Sequence, residues 1–186
     1  MSKEVKKITL GSGDFFCIDK TDSIPNTIEE ITKLTVDDNF LGYISGGATL
    51  EYKPTYYEAK DDKGVVYKTV ITEEEATLKS GILTFNGNTL KKLCATGRVT
   101  ETSKERVLKV GGTQNNDGKY YLIIFKQPDK VDGDAYVIIV GQNQAGFTLA
   151  FAKDKETVVD AEFKAKPMDT DGTIISFVEE IKPIEA

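Results

Sequence analysis

Residues 46–85 read GGATLEYKPTYYEAKDDKGVVYKTVITEEEATLKSGILTF, and this stretch decides the fold of the chain. Its first arm alternates between an apolar and a polar set of residues. The apolar set is Ala48, Leu50, Tyr52, Pro54 and Tyr56, and the polar set is Thr49, Glu51, Lys53 and Thr55. The second arm sets Ala76, Leu78, Ser80 and Ile82 against Glu75, Thr77, Lys79 and Gly81. A period of two is typical of a half-buried strand, so the stretch predicts two paired strands.

A charged segment between the arms, residues 60–64, has the composition of a turn. The sequence therefore predicts a long projecting β-hairpin over residues 46–85, longer than a compact domain of this size needs. Tyrosines flank the turn, and tyrosine is favoured at protein interfaces because its large ring carries a polar end. We expect a subunit interface formed by Tyr52, Tyr56, Tyr57, Asp61, Asp62, Val66 and Tyr67. The alternative is that these tyrosines cover the domain's own core.

The rest of the chain predicts a mainly β protein, an antiparallel sandwich or barrel of about eight to ten strands. The remaining strand candidates are residues 8–18, 106–110, 120–125, 136–140, 147–152, 158–166 and 173–181. One flanking helix is predicted from Thr89 to Ala95, with Asn88 as its N-cap and Gly97 closing it. A shorter helix is predicted after Asn26 as N-cap, with Glu29 three residues on. We expect one domain over residues 1–186, with the structure of residues 1–37 left open.

Composition argues against an enzyme and against a protein that grips nucleic acid. The chain has no histidine, which removes the commonest general base and metal ligand. Its net charge of −6 opposes binding to phosphates. No apolar run is long enough to span a bilayer, and the amino-terminal residues lack the pattern of a signal peptide. We therefore expect a protein made in the cytoplasm, with Cys17 and Cys94 as buried free thiols rather than a disulfide.

The candidate chemical sites all have a simpler explanation. The carboxylate pairs Asp160 and Glu162, and Glu73 and Glu75, have the separation of solvated residues on one strand face. The acidic stretches 129–134 and 169–171 match turn chemistry better than the ligand spacing of a calcium loop. We predict no catalytic residue, no metal and no cofactor.

Three segments together resemble one known family. Residues 38–54 (DNFLGYISGGATLEYKP) resemble the region before and into the long hairpin of the major tail tube proteins of long-tailed, siphovirus-type bacteriophages. Residues 75–85 (EATLKSGILTF) resemble their return strand, which leads into a helix. Residues 154–165 (DKETVVDAEFKA) through 171–175 (DGTII) resemble their C-terminal strand pair. The similarity is to phages and prophages of Gram-positive hosts.

The resemblance implies a structural virion protein with a β-sandwich fold and a flanking helix. Such subunits form hexameric rings that stack into a hollow tube around a tape-measure protein, and each gives strands to one inner barrel. The tube also meets tail terminator and distal tail proteins. It is part of the virion tail, is assembled in the host cytoplasm, and lets double-stranded DNA pass without specific binding or membrane insertion by this chain.

If the apolar hairpin face is buried, the opposite face lines either the channel or the tube exterior. We assign it to the channel, with the lining set Thr49, Glu51, Lys53, Thr55, Glu75, Thr77 and Lys79. Mixed charges that include acids predict a wall that repels DNA weakly.

Two classes of alternative remain open. One is the inner tube of a contractile tail, a tailocin or a secretion apparatus, which would share the fold. The other is a monomeric β-sandwich binding module, such as a carbohydrate-binding domain. Such modules usually carry a flat aromatic platform with tryptophan, and this chain has none.

Overall fold

One antiparallel sheet holds eight of the ten strands in the computed structural model, which describes residues 11–20 and 23–182. The strands are β1 (Asp14–Asp19), β2 (Phe40–Gly42), β3 (Ile44–Lys60), β4 (Val66–Ile82), β5 (Arg98–Glu101), β6 (Arg106–Lys109), β7 (Tyr121–Gln127), β8 (Ala135–Asn143), β9 (Val159–Lys166) and β10 (Ser176–Glu179). The helices are α1 (Ile28–Leu34) and α2 (Gly87–Lys92), with 3-10 turns at Asp37–Asn39 and Thr113–Asn115. The predicted mainly β, antiparallel fold is confirmed.

The sheet closes on itself. Its strand order is β2-β1-β7-β8-β9-β4-β3, and β10 extends along the edge of β8. The two end strands, β2 and β3, are separated along the chain only by Tyr43. One nearly continuous run therefore pairs with β1 at its start and with β4 over the rest. Across this junction, the Leu83 amide donates to the Tyr43 carbonyl at 2.7 Å.

Glycine is required where the sheet closes. Gly42 has a φ of +153°, and a Cβ built there would lie 2.1 Å from the Thr84 carbonyl oxygen. A side chain at this position would therefore collide with the backbone of the segment that follows β4. The amide of Tyr43 donates to the Thr84 hydroxyl at 2.8 Å. This hydrogen bond joins the same two segments of the chain.

The inside of the closed sheet is an apolar core to which every strand around it contributes. Phe15 of β1 and Phe163 of β9 meet across the interior with ring centroids 6.4 Å apart, although β7 and β8 lie between their strands. Phe125 packs against Phe15 at 5.3 Å. Burial of rings this large supplies much of the hydrophobic free energy of folding, at about 25 cal/mol per Å² of apolar area.

A second core lies on the outer face of β1, β7 and β8. It is formed by the residues that alternate with the inner set, including Phe16, Leu122 and Ile138. Helix α1 covers this face through Ile31, which is fully buried. The continuous apolar run in β7 follows from this arrangement, because a strand covered on both faces needs apolar residues at successive positions.

The two helices begin at residues that differ from the predicted ones. The N-cap of α1 is Thr27, and Glu30 accepts from the Asn26 and Thr27 amides in a capping box. The predicted caps Asn26 and Glu29 were one residue early. Helix α2 is capped by Asn86, whose side chain accepts from the amides of residues 88 and 89. The helix ends at Lys92, earlier than predicted, and Gly97 lies in a later turn.

Helix α2 and the β5–β6 pair cover one end of the core. Leu90, Leu93 and Leu108 pack on the inner cluster. Asn143, at the end of β8, ties this cover to the sheet. Its side-chain amide donates to the Leu93 and Gly146 carbonyls at 2.9 and 2.6 Å, and its oxygen accepts from the Glu162 amide at 2.9 Å.

Other strand predictions differ from the structure in extent. Residues 147–152 form no strand, and the described part of 8–18 forms β1 only from Asp14. The predicted strands 106–110 and 173–181 shorten to β6 and β10. Residues 1–10 of the open amino-terminal segment lie outside the described residues. Within the described ranges no helix is long and apolar enough to cross a membrane.

We expect Asn143→Ala to lower the free energy of unfolding by about 2–4 kcal/mol, because it removes the side-chain partner of one buried and two part-buried backbone groups. Chemical denaturation measures the loss. Gln142→Ala, at the neighbouring half-buried position, is the control and should cost well under half as much. Equal costs at the two positions would contradict the role of Asn143 as a tie between the sheet and α2.

The two thiols are free, but only Cys17 is fully buried. Burial raises the pKa of Cys17 to about 12, and it also raises the pKa of the part-buried Cys94. Because the thiolate is the reactive form, we expect an alkylating agent at mildly alkaline pH to modify Cys94 slowly and Cys17 not at all in the folded protein. Mass spectrometry with a denatured control measures this; rapid native labelling of Cys17 would contradict it.

Candidate functional site

The outer half of the β3–β4 hairpin extends beyond the rest of the sheet. Both strands have 17 residues, but β4 pairs with β9 only from Thr77 to Ile82. Past Thr77 the described strands that pair with β3 and β4 are only each other. All residues from Val66 to Glu74 are exposed. We call residues 52–76 the outer hairpin.

The apolar face of the hairpin is buried at its base and exposed further out. At the base, Leu78 and Ala76 are buried over the core. Further out on the same face, Tyr52 opposes Ala76 and is about half exposed. The phenol of Tyr52 donates to the Glu74 carboxylate, and this hydrogen bond raises the pKa of Tyr52. The apolar face that covers the core therefore continues outward along the hairpin, where it is exposed to solvent.

Apolar residues occupy both faces of the outer hairpin. After an extra residue at Thr72, Tyr56 opposes Ile71 and the next rung pairs Tyr57 with Val70. Successive rungs point to opposite faces, so each face carries one of these exposed pairs. Tyr57 is 61% exposed and Ile71 is 51% exposed. A two-stranded ribbon with apolar groups on both faces has no core of its own to bury them in.

The turn is held by Asp61. Its carboxylate accepts from the Lys63 and Val65 amides at 3.0 and 2.8 Å and from the Tyr67 hydroxyl at 3.2 Å. Gly64 completes the turn with a φ of +81°. Asp61, predicted as an interface residue, is therefore engaged within its own turn.

The other predicted interface residues are exposed along the outer hairpin. They are Tyr52, Tyr56, Tyr57, Asp62, Val66 and Tyr67. Val70 and Ile71 share this surface and were not predicted. Their signal in the sequence is an apolar pair within an otherwise polar arm.

The predicted channel-lining residues lie together on one face of the sheet. The register pairs Thr49 with Lys79, Glu51 with Thr77, Lys53 with Glu75, and Thr55 with Glu73. Strand β9 continues this face, because Lys164 opposes Thr77 and Glu162 opposes Lys79. We call Glu51, Lys53, Glu75, Thr77, Lys79, Glu162 and Lys164 the polar cluster.

The polar cluster contains three ion pairs, one within β3 and two that join β4 to β9. Lys53 contacts Glu51 at 2.7 Å, and Lys79 contacts Glu162 at 3.3 Å. Lys164 forms an ion pair with Glu75. The hydrogen bond from Lys53 lowers the pKa of Glu51, and the bond from Lys164 lowers the pKa of Glu75. These carboxylates are therefore charged at neutral pH.

The described residues contain no group of three or more metal-ligating side chains that could hold an ion. No family model matches the chain, and comparison with characterised proteins found no match.

We expect backbone amides of the outer hairpin to exchange quickly with solvent in the free subunit, because few contacts offset the chain entropy there. Amides of residues 77–82, which pair on both sides, should exchange slowly and serve as the internal control. Hydrogen–deuterium exchange with mass spectrometry measures both. Equal protection of the two halves in the free subunit would contradict the marginal stability of the outer hairpin.

Proposed function

We propose that this protein is a major tail tube subunit of a siphovirus-type bacteriophage or prophage. Copies would assemble as stacked hexameric rings into a hollow tube that conducts phage DNA into the host. The observation that carries the proposal is the outer hairpin, which exposes apolar pairs on both faces and attaches to a closed sheet. A surface of this kind is buried when it packs against other chains.

The hairpin also offers backbone groups for pairing. Among the described residues, β4 beyond Thr77 and β3 along its outer length have edges without a strand partner. Free strand edges bind other strands through backbone hydrogen bonds. Strand pairing between copies would satisfy these groups and bury Tyr56, Tyr57, Val70 and Ile71 in the same step.

The geometry favours a ring over a simple dimer. The hairpin projects from the sheet of its own chain, so its acceptor would be a different surface on the next copy. Contacts between two different surfaces are heterologous, and they generate closed rings or open filaments. A tube of stacked rings has both, because each ring is closed and the stack is an open filament.

The polar cluster would line the channel of such a tube. The cluster lies on the same strands as the outer hairpin. The position of the hairpin in the ring would therefore also fix the position of the cluster. The cluster would face the tape-measure protein before ejection and double-stranded DNA during it. Tail terminator and distal tail proteins would contact the ends of the tube. We place the protein in the virion tail after assembly in the bacterial cytoplasm.

A shortened hairpin tests the proposal. Deletion of the two paired rungs Tyr57 with Val70 and Glu58 with Thr69 keeps the Asp61 turn and the alternation of faces. It shortens the hairpin by about 7 Å. We expect a folded subunit with an unchanged melting temperature that forms no rings or tubes. Electron microscopy of concentrated protein measures assembly.

The matched control is Glu58→Gln with Thr69→Ser, which alters one of the same rungs but keeps the hairpin length. It should assemble like the parent protein. Tubes formed normally by the shortened hairpin would exclude a role for the hairpin in assembly, and a parent protein that stays monomeric at high concentration would overturn the proposed function.

A further inference from the structure

The polar cluster carries no net charge, although the chain as a whole is acidic. Three glutamates and three lysines make up its ionised groups. Each lysine forms an ion pair with one of the glutamates. Two of the three pairs join different strands: Lys79 of β4 with Glu162 of β9, and Lys164 of β9 with Glu75 of β4.

The lysines of this cluster are accessible. Their side chains are 67%, 43% and 37% exposed for Lys53, Lys79 and Lys164. They lie on three neighbouring strands at staggered positions, because Lys53 opposes Glu75, Lys164 opposes Thr77, and Lys79 lies two residues further along β4. Without their partners, the three ammonium groups would form a positive patch on one face of the sheet, of the kind that binds phosphates.

We propose that the polar cluster is a masked polyanion-binding surface, in which the three glutamates hold the three lysines away from the phosphates of duplex DNA. The inference rests on the proposed function, in which DNA passes along this face. It differs from a repulsive wall, because the polar cluster that DNA would meet carries no net charge of its own. Each glutamate would pair with one lysine that could otherwise contact a phosphate, rather than add general negative charge.

The test uses the isolated full-length protein and a short DNA duplex. The variant combines Glu51→Gln, Glu75→Gln and Glu162→Gln, which preserve side-chain size and remove only the charge. The parent should not bind duplex DNA at about 50 mM salt, whereas the variant should bind at least about tenfold more tightly. Three released lysines predict that log K falls against log salt with a slope between about −2 and −3.

The matched control changes three exposed carboxylates outside the cluster by Glu105→Gln, Glu156→Gln and Glu179→Gln. It alters the net charge of the chain by the same amount, and it should bind no better than the parent. Adding Lys53→Ala, Lys79→Ala and Lys164→Ala to the first variant should abolish its binding. Equal binding by control and variant, or binding that survives loss of the lysines, would overturn the inference.

Thermal melting checks that the variants are folded. If the triple variant does not fold, Glu75→Gln and Glu162→Gln are tested singly, and each should give a slope of about −1 against log salt. Tube formation is measured separately. Tubes without DNA binding by the variant would overturn the masking alone, whereas DNA binding by a variant of a protein that never forms tubes would overturn the proposed function alone.

Discussion

The contact between the Gly42 backbone and the Thr84 carbonyl is the constraint on which the rest of the structure depends. It lets one run of chain leave β1 and join β4 with only Tyr43 between the two pairings. Any side chain at Gly42 would separate these segments, since a Cβ would lie 2.1 Å from the carbonyl oxygen. Closure removes the sheet edges at this point, and it fixes the direction in which the hairpin leaves the core.

Closure also explains why the outer face of the sheet is apolar on some strands and charged on others. On β1, β7 and β8 this face is apolar and covered by α1. On β9, β4 and β3 it is charged and open. The inner face is apolar around the whole sheet because it encloses a single core. A face of this kind is common in antiparallel sheets, which often pack one side on a core and leave the other to solvent.

Period-two alternation predicted the hairpin, its turn and its two faces, because each strand carries that pattern locally. The same pattern was misleading at residues 147–152. Phe147 and Leu149 do pack on the core, but β4 and β8 already occupy both edges of β9. Alternation reports which side chains are buried, and it does not show whether a backbone edge is free to pair.

The charge balance of the polar cluster could not be predicted from the sequence either. Lys53 and Glu51 are two residues apart, and alternation alone puts them on one face. The pairs of Lys79 with Glu162 and of Lys164 with Glu75 depend on the register of β9 against β4. That register is set by Phe163 packing inside the closed sheet, which no local pattern encodes. The sequence therefore predicted a face of mixed charges, and the structure shows which of these charges pair with one another.

The outer hairpin combines properties that are unfavourable in a protein that stays alone. Exposed strand edges and apolar pairs on both faces favour uncontrolled association. Charged residues next to these pairs on the side of the turn, such as Glu58 and Lys68, disfavour alignments that bring like charges together. Identical neighbours related by rotation would repeat one pairing at every interface, as the symmetric ring that we propose requires.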